Sequence, residues 1–96
     1  MLKNKFQDIT VTITPEMFAD SDYYNIYDCA LAKALKAEGY AFQSVTNYSV
    51  RDVDKQSWPM SYEDSIEVCE RTGRKDQKAL TVTLESPYKS VVERRV

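Results

Sequence analysis

Two short stretches near opposite ends of the chain constrain its fold more than anything between them. Residues 8–14, Asp-Ile-Thr-Val-Thr-Ile-Thr, alternate with a period of two: Ile9, Val11 and Ile13 fall on one face, Thr10, Thr12 and Thr14 on the other. Residues 79–85 repeat the pattern, with Leu80, Val82 and Leu84 set against Thr81 and Thr83. A period of two places one row of side chains in a core and the other in solvent. Two strands so alike are expected to lie side by side in one sheet, where outward threonines suit a solvated, cross-strand-paired face. That solvated face could also stack on another sheet or pair with a copy of itself.

The intervening chain changes period. Thr14-Pro15-Glu16 starts a helix, with proline at a first-turn position and an acid beside it. Residues 15–19 can form a short turn of their own, because Asp20, Ser21 and Asp22 offer a second set of capping residues. A main helix is then expected from about Tyr23 to Glu38, ending at Gly39, with Tyr24, Tyr27, Leu31, Ala34 and Leu35 as its buried stripe. Acids at its front and Lys33 and Lys36 at its back oppose the helix dipole. A second helix is expected from Ser61, capped with help from Asp64 and stopped at Thr72-Gly73. Ile66 and Cys69 form its apolar stripe, with Tyr62 as a further candidate.

Residues 41–53 read as a third strand. Its apolar positions (Phe42, Val45, Tyr48, Val50, Val53) do not keep one phase, which leaves a bulge or a hairpin around Thr46-Asn47 open. Residues 54–60 read as a loop, and residues 86–96 as a polar extension behind Pro87, expected to be flexible. The expected fold is α+β: a single domain built as a two-layer β-α-β-α-β sandwich, with a three- or four-stranded sheet and two helices on one face.

Composition narrows the function. Ninety-six residues, 43% hydrophobic and 29% charged, suit one ordinary globular domain. Thirteen basic against fifteen acidic side chains leave a net charge of −2, which lacks the basic excess a general nucleic-acid binder needs. The polar start and the lack of a long apolar run give no sign of a membrane span or export signal, so the cytoplasm of a bacterium or host cell is the expected compartment. Two cysteines, Cys29 and Cys69, make a poor disulfide framework and are expected to be reduced and partly buried. The chain contains no histidine, so no Ser-His or Cys-His pair and no imidazole metal ligand can form. No metal site and no cofactor are expected, and an enzyme is not.

Four segments could still carry a function. Glu16, Asp20, Asp22 and Asp28 supply oxygen ligands for a hard cation, but their spacing lacks the calcium-loop pattern, and capping plus dipole compensation accounts for them. Cys29 near a helix start could be an activated thiol, yet the adjacent Asp28 opposes that and packing is its ordinary role. Arg71, Arg74, Lys75 and Lys78 cluster just past the second helix, where they could grip a phosphate or an acidic partner; helix C-termini attract bases in any case. The seven tyrosines carry the strongest hint. Tyr23, Tyr24 and Tyr27 cannot all face one core from one helical turn, and Trp58 sits in a polar segment before Pro59. Exposed tyrosine and tryptophan are interface anchors, because they bury large areas and keep a polar handle.

The strand Val11-Thr12-Ile13-Thr14-Pro15-Glu16, followed by Asp28-Cys29-Ala30-Leu31-Ala32-Lys33-Ala34-Leu35, resembles the opening of small uncharacterised proteins from phages and bacteria. The resemblance covers about the first 38 residues and transfers no activity. It implies an accessory protein that acts by binding another protein. The expected function is thus a small non-catalytic protein-interaction module, in its specific form a phage-encoded modulator of a host protein. Its binding residues are expected among Tyr23, Tyr24, Trp58, Arg71, Arg74 and Lys75, and a homodimer stays open. The alternative is a small-ligand or nucleotide-binding domain that uses the basic 71–78 segment.

Overall fold

A computed structural model describes residues 6–21, 29–46 and 48–88. The alternating segments form strands β1 (Ile9–Ile13) and β5 (Leu80–Leu84). They pair antiparallel, as expected, with Val11 opposite Val82 and threonine opposite threonine at Thr10–Thr83 and Thr12–Thr81. Val11, Ile13, Val82 and Leu84 are buried, and the four threonines are exposed. Burying those branched side chains removes apolar area from water, which stabilises at roughly 25 cal/mol per Å².

Two helices follow β1. The first, α1 (Pro15–Ala19), opens with Thr14, whose hydroxyl accepts the Met17 N–H at 3.3 Å, and it buries Phe18. The second, α2 (Ala30–Ala37), is shorter than the expected Tyr23–Glu38 helix, because Cys29 is extended and forms its N-cap. Tyr23, Tyr24 and Tyr27 lie outside the described residues. Leu31, Ala34 and Leu35 are buried as expected, together with Ala30 and Ala32. The helix ends in a double clasp: Tyr40 N–H donates to Leu35 O, and Gly39 N–H to Lys36 O. Gly39 holds a φ of +81°, a conformation that costs glycine little and other residues much.

The 41–53 segment is a hairpin, one of the two expected forms: β2 (Ser44–Val45) pairs with β3 (Ser49–Arg51). The 54–60 segment, read as a loop, instead supplies a further strand, β4 (Ser57–Pro59), paired with β3. The strand count is therefore five among the described residues, in a two-stranded sheet β1-β5 and a three-stranded sheet β2-β3-β4. A bridge between Met60 and Leu84, with Glu85 N–H donating to Pro59 O at 2.8 Å, joins them so that β5 lies between β1 and β4. The fold is α+β as expected; among the described residues the sheet is built as two joined sheets, and the separate turn at residues 15–19 stands as a helix beside the two expected ones.

Helix α3 (Tyr62–Arg71) begins at Ser61, whose hydroxyl accepts the Asp64 N–H. Its expected apolar stripe is displaced by roughly a quarter turn. Ser65 and Val68 are buried, whereas Tyr62 and Ile66 are exposed and Cys69 is half-buried. One polar contact joins α3 to the sheet, Asp64 accepting the Thr83 N–H of β5 at 3.5 Å, while the Thr72 hydroxyl closes the helix's own last turn by donating to Val68 O. Gly73, at a φ of +78°, does more than stop α3, because its N–H reaches Phe18 O at the end of α1.

Ser86 is buried and Tyr88 packs against the core, so the chain beyond β5 stays docked at least that far. One core runs through the domain, with Phe18, Leu31 and Leu35 from the helices meeting Val11, Ile13, Val82, Leu84, Val45, Val50 and Trp58 from the strands.

Candidate interaction surface

The aromatic residues divide into two groups, and not as the sequence suggests. Trp58, expected to be exposed, has no accessible surface at all. It sits on β4 facing Val50 and donates its indole N–H to Asp52 Oδ2 at 2.9 Å. Tryptophan carries a single donor, and a buried one requires an acceptor. Six residues before it, Asp52 provides one.

Asp52 organises this part of the molecule. Its Oδ1 accepts the N–H groups of Asp54 and Gln56, both at 2.9 Å, which closes the β3–β4 turn. Lys55 takes a φ of +66° within that turn. Oδ2 accepts the Tyr88 hydroxyl at 2.8 Å as well as the Trp58 indole. Burial alone pushes the carboxyl pKa up, but the hydrogen bonds from Trp58, Gln56, Tyr88 and Asp54 together outweigh it, and the net shift is downward. Tyr88 moves the other way: burial, its bond to Asp52 and the charges of Asp52 and Asp54 push its hydroxyl up to about 12. Tyr88 also stacks edge-on against Trp58 and Phe6. With both oxygens engaged by donors and the group out of solvent, Asp52 is built to hold structure rather than to move protons.

Among the described residues the exposed aromatics are Phe6, which packs edge-on against Tyr88, and Tyr48 and Tyr62, with 64% and 72% of their surface open to solvent. Two elements bring them to the same end of the three-stranded sheet. Tyr48 O accepts the Met60 N–H at 2.9 Å, so Tyr48 lies across from Met60, and Tyr62 follows two residues later in the first turn of α3. The Thr46 hydroxyl accepts the Tyr48 and Ser49 N–H groups, which fixes the backbone that carries Tyr48. Ile66, one turn along α3 from Tyr62 on the same face, is also exposed. None of the three is among the binding residues expected from the sequence, where Ile66, with Tyr62 as a further candidate, belongs to a buried stripe and Tyr48 to a strand that keeps no single phase. No apolar periodicity signals this, because one of the two buried residues of α3 is a serine, Ser65, beside Val68.

The basic segment fares differently. Arg71 and Arg74 do come together, in a shallow depression of about 310 Å³ lined also by Glu67, Glu70, Asp76, Gln77 and Lys78, while Lys75 is not part of the lining. Arg71 is already engaged, with Glu67 at 2.8 Å and with Lys78 O at 3.0 Å. Acids and bases balance along this wall, so it makes no strongly positive cradle of the kind phosphate attracts. Of the acidic segment, Glu16 lies in the first turn of α1 and Asp20 caps its end; Asp22 and Asp28 are outside the described residues. Among the described residues, no cluster of acids and cysteines is assembled that could hold a metal ion, and no helix is long and apolar enough to cross a membrane. Cys29 and Cys69 are half-buried and not joined to each other.

No protein-family model, no curated protein and no solved structure matches the chain.

Proposed function

We propose that this domain is a non-catalytic protein-interaction module that presents Tyr48, Tyr62 and Ile66 to a protein partner. The observation that carries the reading is the exposure of two tyrosines on anchored backbone at one end of a sheet, in a chain that buries its tryptophan completely. An aromatic ring held on rigid backbone loses little conformational freedom on binding, which is why such side chains dominate interface energetics. The resemblance of the first 38 residues to small phage and bacterial proteins supports the narrower form, a phage-encoded modulator of a host protein that acts in the cytoplasm.

Affinity capture from a bacterial lysate is the test. The unmodified domain should retain one stoichiometric partner, and Tyr62→Ala and Tyr48→Ala should each weaken retention at least tenfold, the loss typical of a central aromatic anchor. Retention unchanged by both substitutions sinks the proposal.

A second reading rests on the depression at residues 67–78, which is large enough for a small ligand. Arg74 and Lys78 would contact an anionic group there. Its balanced charge favours a zwitterion over a nucleotide. A ligand that binds only the folded state must raise the melting temperature, so a thermal-shift series with nucleotides and amino acids separates the readings. A shift with either class, abolished by Arg74→Ala, would favour this second one.

A further inference from the structure

The two outermost strands of the joined sheets are protected unequally. At one side β2 is only two residues long, too short to template another chain. At the other, β1 presents five residues, Ile-Thr-Val-Thr-Ile, with no charge or proline among them. Natural edge strands usually carry one of those guards. Among the described residues, no strand pairs with the outer edge of β1.

The hydrogen bonds of β5 identify which groups form that edge. Thr83 N–H and Glu85 N–H point away from β1, toward Asp64 and Pro59, while Ser86 N–H points toward β1 and reaches Asp8. The Ile9–Leu84, Val11–Val82 and Ile13–Leu80 pairs are therefore the mutually hydrogen-bonded ones. The threonine pairs are the closer, non-bonded kind, consistent with the 3.4 Å and 3.2 Å separations of their hydroxyls. It follows that the N–H and C=O groups of Thr10 and Thr12 face outward along the free edge.

The β1 sequence reads the same in both directions. Antiparallel pairing of two copies about a twofold axis at Val11 sets Thr10 opposite Thr12 of the partner subunit, Val11 opposite its counterpart and Ile9 opposite Ile13 of the partner subunit. In this register the outward groups of Thr10 and Thr12 meet as mutually hydrogen-bonded pairs, and every inward apolar residue faces another. The molecule already holds a strand of this kind: β5, Leu-Thr-Val-Thr-Leu, pairs with the inner edge of β1 in the same valine-to-valine register. We propose that the outer edge of β1 binds a second copy of itself, forming a symmetric dimer whose sheet runs continuously through β5-β1-β1-β5. This surface is separate from the tyrosine face.

Sedimentation across a concentration series is the primary experiment. A ladder this short predicts weak association, with Kd on the order of 10–100 μM. Thr10→Lys combined with Thr12→Lys sets like charges opposite each other across the axis and should abolish the dimer. Thr10→Lys combined with Thr12→Glu sets opposite charges there and should preserve or tighten it. All four side chains involved lie on the exposed face, and circular dichroism checks folding. If the lysine variant does not fold, amide exchange in the unmodified protein decides instead: Thr10 and Thr12 should exchange more slowly as concentration rises, and Val11, whose N–H faces β5, should not change. A protein that stays monomeric to roughly 1 mM overturns the proposal. So do two folded variants that associate alike, or exchange at Thr10 and Thr12 that ignores concentration.

Discussion

The two sheets of this domain are held together by different physics. The β1–β5 pair is a ladder of branched apolar side chains on one face and threonines on the other, with no charged side chain inside it. The β2–β3–β4 sheet is short, broken by turns and contains a proline, and a buried carboxylate organises it. In the first, each position contributes a little and nearly independently. In the second, one side chain closes a turn, satisfies the only tryptophan and fastens the chain that follows β5. A distributed ladder should lose stability gradually under mutation, whereas a centred one should fail at its centre.

The largest effect is expected at Trp58. Trp58→Ala empties the largest fully buried side chain of the core and removes a donor from Asp52, and it should cost about 3–5 kcal/mol. Chemical denaturation would measure it, and a cost near that of a single ladder valine would erase the contrast between the sheets. Asp52→Ala should come next, at about 3 kcal/mol, because it strands the Trp58 and Tyr88 donors and two backbone N–H groups together. Asp52→Asn sharpens the point. An amide oxygen can keep the turn bonds to Asp54 and Gln56, but its NH₂ group would then face the Trp58 N–H, which can only donate. A loss of about 1–3 kcal/mol is expected from that mismatch, with the Trp58 fluorescence altered while the turn persists.

These same residues mark where the sequence was legible. Strands β1 and β5 could be read residue by residue, pairing included, because burial of one face imposes a period of two that nothing competes with. The helix starts at Thr14 and Ser61 were equally plain, since capping is a local interaction. Strand β4 was not legible. Three residues ending in proline carry no period, and what makes Ser57–Pro59 a strand is a carboxylate five residues upstream. The face of α3 differs from the expected one for a related reason: apolar residues do not mark its buried side, because α3 turns Ser65 and Val68 inward, with Asp64 bonded to the Thr83 N–H, and leaves Tyr62 and Ile66 outside. The exposure of Tyr62 was not legible because it depends on which face of α3 turns inward, and that of Tyr48 because it depends on the β2–β3 turn. Trp58 failed in the opposite direction, since its polar neighbours are the turn that buries it.

Acid should act on the two sheets unequally as well. The carboxyl of Asp52 has a pKa below its ordinary value, so it contributes stability that is present above the unfolded-state pKa and lost as pH falls through the folded one. The unmodified domain should therefore destabilise more steeply in the acid range than Asp52→Asn. Parallel acid slopes for the two proteins would show that Asp52 is not the source. At the alkaline end the sign reverses: Tyr88, pushed up to about 12, stabilises fully below the ordinary tyrosine value and loses that contribution as pH rises toward its own. Ultraviolet titration should find Tyr88 ionising late, and Asp52→Asn should bring it earlier without moving Tyr40, which burial and Glu38 also push upward.

Within the ladder, Val82→Ala should cost about 2 kcal/mol, the loss of a buried branched side chain at a position with no accessible surface. The smallest effect is expected on its outer face. Thr12→Val keeps the branched shape that strands favour and removes a hydroxyl that meets Thr81 at 3.2 Å in solvent. Water can satisfy the Thr81 hydroxyl that remains, so no buried donor is stranded, and the change should lie within about 0.5 kcal/mol of zero. Asp52 and Thr12 both take part in side-chain hydrogen bonds between strands or turns, and both bonds are of good length. If burial decides their worth, equilibrium unfolding should separate Asp52→Ala from Thr12→Val by several-fold in free energy. A Thr12→Val loss as large as that of Asp52→Ala would mean that the threonine row holds the ladder together, and the contrast between a distributed sheet and a centred one would fall.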